Sequence, residues 1–146
     1  MTDDLHRATG DRLTVRQLYA LLTLRVNVFI VEQGSPYPDL DGRDLDPATV
    51  HLWFGGADAP VAYLRILPGP PARIGRVCTA PAARGTGLST RLMHAALAEL
   101  GDAEVVLDAQ VQAQGMYARF GFVPEGEPFD DDGILHIAMR RRGVRD

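Results

Sequence analysis

Residues 74–100, IGRVCTAPAARGTGLSTRLMHAALAEL, constrain the fold more than any other stretch of this chain. Residues 74–79 are apolar and β-branched enough for a strand. Pro81 closes that strand, because proline has no N–H to give to a ladder. Arg84-Gly85-Thr86-Gly87 then opens a helical pattern with Leu88, Leu92, Ala96 and Leu100 on one face. Two glycines at the mouth of a helix expose several backbone N–H groups. Together with the helix dipole they make an anion site, so a phosphate-bearing ligand is expected here.

Two common nucleotide readings of this turn fail. A P-loop needs a lysine after its last glycine to reach the outer phosphates. Here Leu88 follows Gly87. A dinucleotide fingerprint needs a third glycine, where this chain has Thr90, and the strands before the turn read as hairpins rather than βαβ units.

The surroundings are consistent with one domain. The chain has 146 residues, 46% of them hydrophobic, and a net charge of −4. That charge argues against non-specific nucleic-acid binding. Cys78 is the one cysteine, so no intrachain disulfide forms and a reducing, cytoplasmic setting is expected. The acidic N-terminus lacks an apolar signal region, and the longest apolar stretch, residues 18–31, is too short for a bilayer. No His/Cys cluster has metal spacing, so no metal is expected, and no Gly-x-Ser-x-Gly elbow supports a hydrolase.

Taken in order, residues 5–8 read as a short strand. Thr14 and Gln17 form a capping box for a helix carrying Leu18, Leu21, Leu22, Val26, Phe29 and Ile30, which should end near residues 31–33. Residues 35–47, SPYPDLDGRDLDP, form a loop. Its aspartates read either as a solvated surface or as an attractor for a cationic amine. Tyr37 and Leu40 among the acids suggest a loop folded onto something. Residues 50–54 and 61–67 read as a hairpin, 72–79 and 104–109 as further strands, and 112–120 as a short helix. Residues 122–124 begin another strand, and residues 125–133 read as an acidic turn region before a last strand at 134–139.

The segment Arg84-Gly85-Thr86-Gly87-Leu88-Ser89 resembles the [Q/R]-x-x-G-x-[G/A] motif of the GNAT superfamily of acetyl-CoA-dependent acyltransferases, with serine in the final position. Thr79-Ala80-Pro81 before it resembles the family's V-x-P, with threonine for valine. Downstream, Tyr117 stands four residues before Gly121-Phe122, as in the family pattern, and Gln110 stands where an asparagine is common. Residues 18–42 and 132–139 resemble the ElaA-type subgroup.

This resemblance implies an α/β (α+β) fold: a mixed, mostly antiparallel twisted sheet of about six or seven strands with about four helices. The sheet should splay at the coenzyme-binding strand. The implied activity is acetyl transfer from acetyl-CoA to a small-molecule or peptide amine, by direct attack in a ternary complex. The alternative is a non-catalytic acetyl-CoA-binding or protein-interaction module on the same fold. A homodimer is the assembly the resemblance suggests, with no nucleic-acid or membrane partner.

The resemblance also carries residue roles. Backbone N–H groups of Arg84, Gly85, Thr86, Gly87, Leu88 and Ser89 would hold the coenzyme diphosphate. Val77, Cys78 and Thr79 would pair with the pantetheine arm by strand addition, one amide polarising the thioester carbonyl. Gln110 would contact the coenzyme, and Tyr117 would be the general acid toward the departing thiolate. A primary ammonium near pKa 10 must lose a proton before it attacks. Glu32, His136 and, after them, His51 are the candidate bases visible in the sequence. Tyr37 is expected to wall the acceptor pocket, and Asp41 to take part in acceptor binding. Cys78 reads as a packed thiol.

Overall fold

The computed structural model describes residues 4–143; the first three residues of the acidic N-terminal stretch lie outside it. Seven strands form one sheet: β1 (Leu5–Thr9), β2 (Val50–Gly56), β3 (Ala59–Leu67), β4 (Ala72–Thr79), β5 (Val105–Gln110), β6 (Val123–Asp131) and β7 (Ile134–Arg141). Their order in space is β1-β2-β3-β4-β5-β7-β6. The described α-helices are α1 (Val15–Arg25), α2 (Leu88–Leu100) and α3 (Gln114–Ala118).

Thr14 caps α1 as a capping box, with Gln17 returning the bond. The helix then continues as a π-helical stretch, Val26–Glu32, and stops where the sequence places its end. The change of period at Val26 leaves no mark in a pattern of apolar spacing.

Period-two alternation divides the sheet between two helices. Leu52, Phe54, Ala62, Leu64 and Ile66 point to α2, where Leu92, Met93 and Ala96 are fully buried. Trp53, Tyr63 and Cys78 point to α1, against Leu21, Leu24 and Val28. Each fully buried Leu or Met contributes about 1.5–3 kcal/mol, so α2 and its glycine turn are held firmly against the strand they follow.

One expectation is corrected. Residues 125–131 are not turn but most of β6, paired with β7, and only Asp132-Gly133 turn the chain. All nine residues of β6 are exposed, so no apolar alternation marks it. Pro124, Gly126 and Pro128 look like turn residues but are tolerated because β6 is an edge strand whose pairing is interrupted between Glu125 and Phe129.

The feature that positions the site is a break in the sheet. β4 and β5 run parallel but pair only at Ala72↔Val105 and Arg73↔Val106. Beyond Arg73 they diverge. β5 remains fully laddered to β7 on its other side. Residues 74–79 thus present a strand edge with no strand beside it.

Candidate active site

The gap between β4 and β5 opens into a cleft of about 610 Å³. Val77, Cys78 and Thr79 line it from β4, Arg84 and Ser89 from the glycine turn, Gln110 from the end of β5, Tyr117 from α3, and His136 from β7. Tyr37 and Asp41 line it from the acidic loop. Residues from six separate segments of the chain therefore meet at one opening.

The turn has a geometry that suits an anion. Gly85 and Gly87 sit at φ 79° and 82°, where a side chain is strained, and nothing lies within 4 Å of where a Cβ would be. Gly87 is the N-cap of α2 and no side chain caps it. The first N–H groups of a thirteen-residue helix are thus left for a ligand. Leu88 is buried and contributes only its backbone. Thr86 steadies the turn, its hydroxyl donating to Ala83 O at 2.6 Å. Two of the departures from the family pattern meet each other: Thr79 Oγ1 and Ser89 Oγ are 3.0 Å apart, tying the end of β4 to the start of α2.

Arg84 does not point its guanidinium at the turn. It forms a fork with Glu32, with both N–O distances 2.6 Å, and its Nε donates to Thr79 O. That hydrogen bond and the facing positive charge lower the Glu32 pKa. A carboxylate held this way is a poor proton acceptor, and Glu32 is not among the described residues lining the cleft. The structure brings Glu32 to Arg84, not to Tyr117 or His136.

His136 is placed differently. Its Nδ1 donates to Ile134 O at 2.8 Å, since a carbonyl only accepts. In the neutral ring this leaves Nε2 with a lone pair. The ring stacks on Phe129, with centroids 6.1 Å apart. His51 lies elsewhere: it is 1% exposed, with Nδ1 2.7 Å from Tyr63 Oη and Nε2 2.9 Å from Asp44 O. Burial lowers its pKa. Both nitrogens are occupied inside the fold, so His51 is not brought into the cleft.

Tyr117 is buried, its ring edge-on to Phe122 at 6.2 Å. Desolvation pushes its pKa up to about 12, so it stays a hydroxyl donor at neutral pH. Cys78 is 5% exposed, and burial pushes its thiol up to about 12. A thiol so far from ionisation is a poor nucleophile.

Three of the loop's aspartates are committed to arginines, Asp39 and Asp44 within the fold and Asp41 at its surface. Three guanidiniums face three carboxylates. Arg25 reaches Asp39 Oδ2 at 3.0 Å and Asp44 Oδ1 at 2.7 Å. Arg65 reaches Asp44 at 3.0 Å and pairs with Asp41. Arg76 lies 2.9 Å from Asp39 Oδ1. The set is self-neutralising, and Arg25, Arg65, Asp39 and Asp44 are all buried. Asp46, the loop's fourth aspartate, accepts from the Ala48 N–H. Tyr37 Oη donates to Asp39 Oδ1 at 2.5 Å, and burial, helped by that carboxylate, raises its pKa. Ser35 Oγ donates to Asp132 O at 2.5 Å, joining the loop to the β6–β7 turn across the far end of the cleft.

Comparison with known proteins agrees with this geometry. Residues 29–142 match the family described as acetyltransferase (GNAT) domain. The chain is 49% identical to UPF0039 protein Rv2851c of Mycobacterium tuberculosis, over 98% of this chain and 96% of that protein. It is 42% identical to protein ElaA of Escherichia coli, over 97% and 96%. The crystal structure of an acyl-CoA N-acyltransferase from Pseudomonas aeruginosa superposes with a TM-score of 0.89 at 42% identity, covering 94% of this chain and 98% of that one. Together with the splayed sheet and its uncapped glycine turn, these matches show that the chain belongs to the GNAT acetyltransferase family, among the relatives of ElaA.

Proposed function

We propose that this protein transfers an acetyl group from acetyl-CoA to the amine of a small molecule or peptide, by direct attack within a ternary complex. The observation that carries this reading is the β4–β5 opening, a cleft lined by residues of the unpaired β4 edge, of the turn and uncapped start of α2, and by Tyr117. The residues fit the coenzyme: small, left-handed positions at the turn admit a diphosphate to the backbone, and the strand edge admits the amide-bearing arm.

When bound, acetyl-CoA supplies the electrophilic acyl carbon. The chain's own residues do the rest. The unpaired β4 edge at residues 77–79 orients the arm and offers an amide to the carbonyl oxygen. His136 Nε2 takes a proton from the acceptor ammonium, its tautomer fixed by Ile134 O. Attack forms the N–C bond and breaks the C–S bond. Tyr117 donates a hydrogen bond to the leaving sulfur. Complete transfer from a phenol near 12 to a thiolate near 8.5 would be uphill by roughly 5 kcal/mol. Tyr117 therefore acts by hydrogen bonding, and the sulfur gains its proton as the product nitrogen loses one.

The buried Cys78 thiol, held far from ionisation, supports direct attack over an acyl-enzyme. Cys78→Ala is expected to retain turnover within a few-fold; its loss would point to a covalent route. The reading itself is tested by thiol release from acetyl-CoA across a panel of polyamines, amino acids and peptides. Amine-dependent release is expected. Tight acetyl-CoA binding without release on any amine would favour the non-catalytic module.

A further inference from the structure

Strand β4 carries one residue more than its partner allows. Tyr63 faces Cys78 and Arg65 faces Gly75, so Arg76 and Val77 share the place opposite Leu64. Arg76 takes φ 55°, a conformation that a residue with a side chain adopts only when its surroundings impose it. The bulge takes Arg76 out of the strand's alternation and brings its guanidinium to the acidic loop.

The contacts it makes there converge on one residue. Nε lies 2.9 Å from Asp39 Oδ1, an ion-pair contact too bent for a hydrogen bond. Nη2 donates to Asp39 O at 3.1 Å and lies 3.5 Å from Asp41 Oδ2. The guanidinium carbon stands 5.5 Å from the Tyr37 ring centroid, within cation–π range. Asp39 is in turn anchored to the core by Arg25 and to Tyr37 by its hydroxyl. Arg76, Tyr37 and Asp41 all line the cleft.

We propose that Arg76 is a positioning residue that couples the two halves of the site. Its grip on Asp39 and Tyr37 holds the 35–47 loop, as the acceptor wall, against the bulged part of β4 where the acyl group lies. This inference rests on the acyl-transfer reading above. Because Arg76 sits on the coenzyme strand while its contacts sit on the loop, occupation of one is transmitted to the other. Its loss should therefore tell on acceptor alignment. A misplacement of about 1 Å between reacting groups costs on the order of 100-fold in rate.

Arg76→Gly separates the side chain from the backbone, since glycine takes φ 55° without strain. Acetyl-CoA affinity, measured by calorimetry, is expected to change less than about threefold, while kcat falls roughly 10- to 100-fold and acceptor KM rises. Arg76→Lys, which keeps the cation but not the fork, should recover part of the rate. Wild-type kcat and acceptor KM in Arg76→Gly would overturn the proposal.

Amide hydrogen exchange supplies a readout that needs no acceptor. Saturating acetyl-CoA should slow exchange at residues 74–79 in both proteins. It should slow exchange at residues 37–44 in the wild type alone. Equal loop protection in both proteins would reject the coupling and leave the acyl-transfer reading standing. Failure of the wild type to bind acetyl-CoA would overturn both.

Discussion

Tyr117→Phe is expected to lower kcat by about 100-fold or more while leaving acetyl-CoA affinity nearly unchanged. The ring fills a buried place beside Phe122, which phenylalanine fills equally well. What the substitution removes is one hydroxyl, kept protonated because desolvation pushes its pKa up to about 12. In the proposed reaction that hydroxyl matters most when the C–S bond is breaking and negative charge gathers on sulfur. An interaction made mainly in the transition state lowers kcat rather than substrate affinity when it is lost. Thiol release measured alongside calorimetric binding separates the two quantities. Unchanged turnover would remove Tyr117 from the mechanism, and an equal loss of affinity would make it a binding residue only.

Asp44→Ala should destabilise the fold by about 3–5 kcal/mol, a large share of the stability of an ordinary domain. Asp44 Oδ1 accepts from both Arg25 and Arg65, whose side chains are 1% and 3% exposed. Removing the carboxylate leaves two buried guanidiniums short of countercharge. Thermal unfolding should report a fall on the order of 10 °C. A change under 1 kcal/mol would mean that the network is solvated and contributes little.

The same network sets a pH dependence. Burial alone would push Asp44 up, but Arg25 and Arg65 together hold its carboxyl below the ordinary range. The hydrogen bond from Arg65 does the same for Asp41. Desolvation holds His51 below its ordinary value. For all three groups the unfolded chain takes up protons first as pH falls, so stability falls with it. The His51 contribution is full above about pH 6.5 and declines below it, and the aspartate contributions decline below about pH 4. His51→Gln should abolish the first decline and leave the second.

How much of this was legible in the sequence depended on distance along the chain. The glycine turn, the Thr14–Gln17 capping box, Tyr117 before Gly121-Phe122, and the helix end near Glu32 are local patterns, and the structure has each in place. Tyr37 hinted at the packing of the acidic loop, whereas Leu40 is 63% exposed. The cause of that packing was not visible, because the cations that neutralise Asp39, Asp41 and Asp44 come from α1, β3 and β4. The Glu32–Arg84 fork likewise spans 52 positions. From sequence, Glu32 and His136 were equally open as bases. A tertiary contact ties up Glu32 with an arginine, while His136 bonds a carbonyl two residues back on its own strand and keeps its other nitrogen to spare. The bulge at Arg76 is hidden for a different reason. It is a mismatch of count between two strands, and neither strand shows it alone.

The central claim, direct acyl transfer in this cleft, is tested most directly by following an isotopically labelled acetyl group through a single turnover. The chain contains no lysine, so no side-chain amine of its own competes as acceptor. Intact-protein and product mass spectrometry, with labelled acetyl-CoA and an accepting amine, should find the label on the amine and none on the protein. Label fixed on Cys78, or released as acetate whether or not an amine is present, would contradict the account.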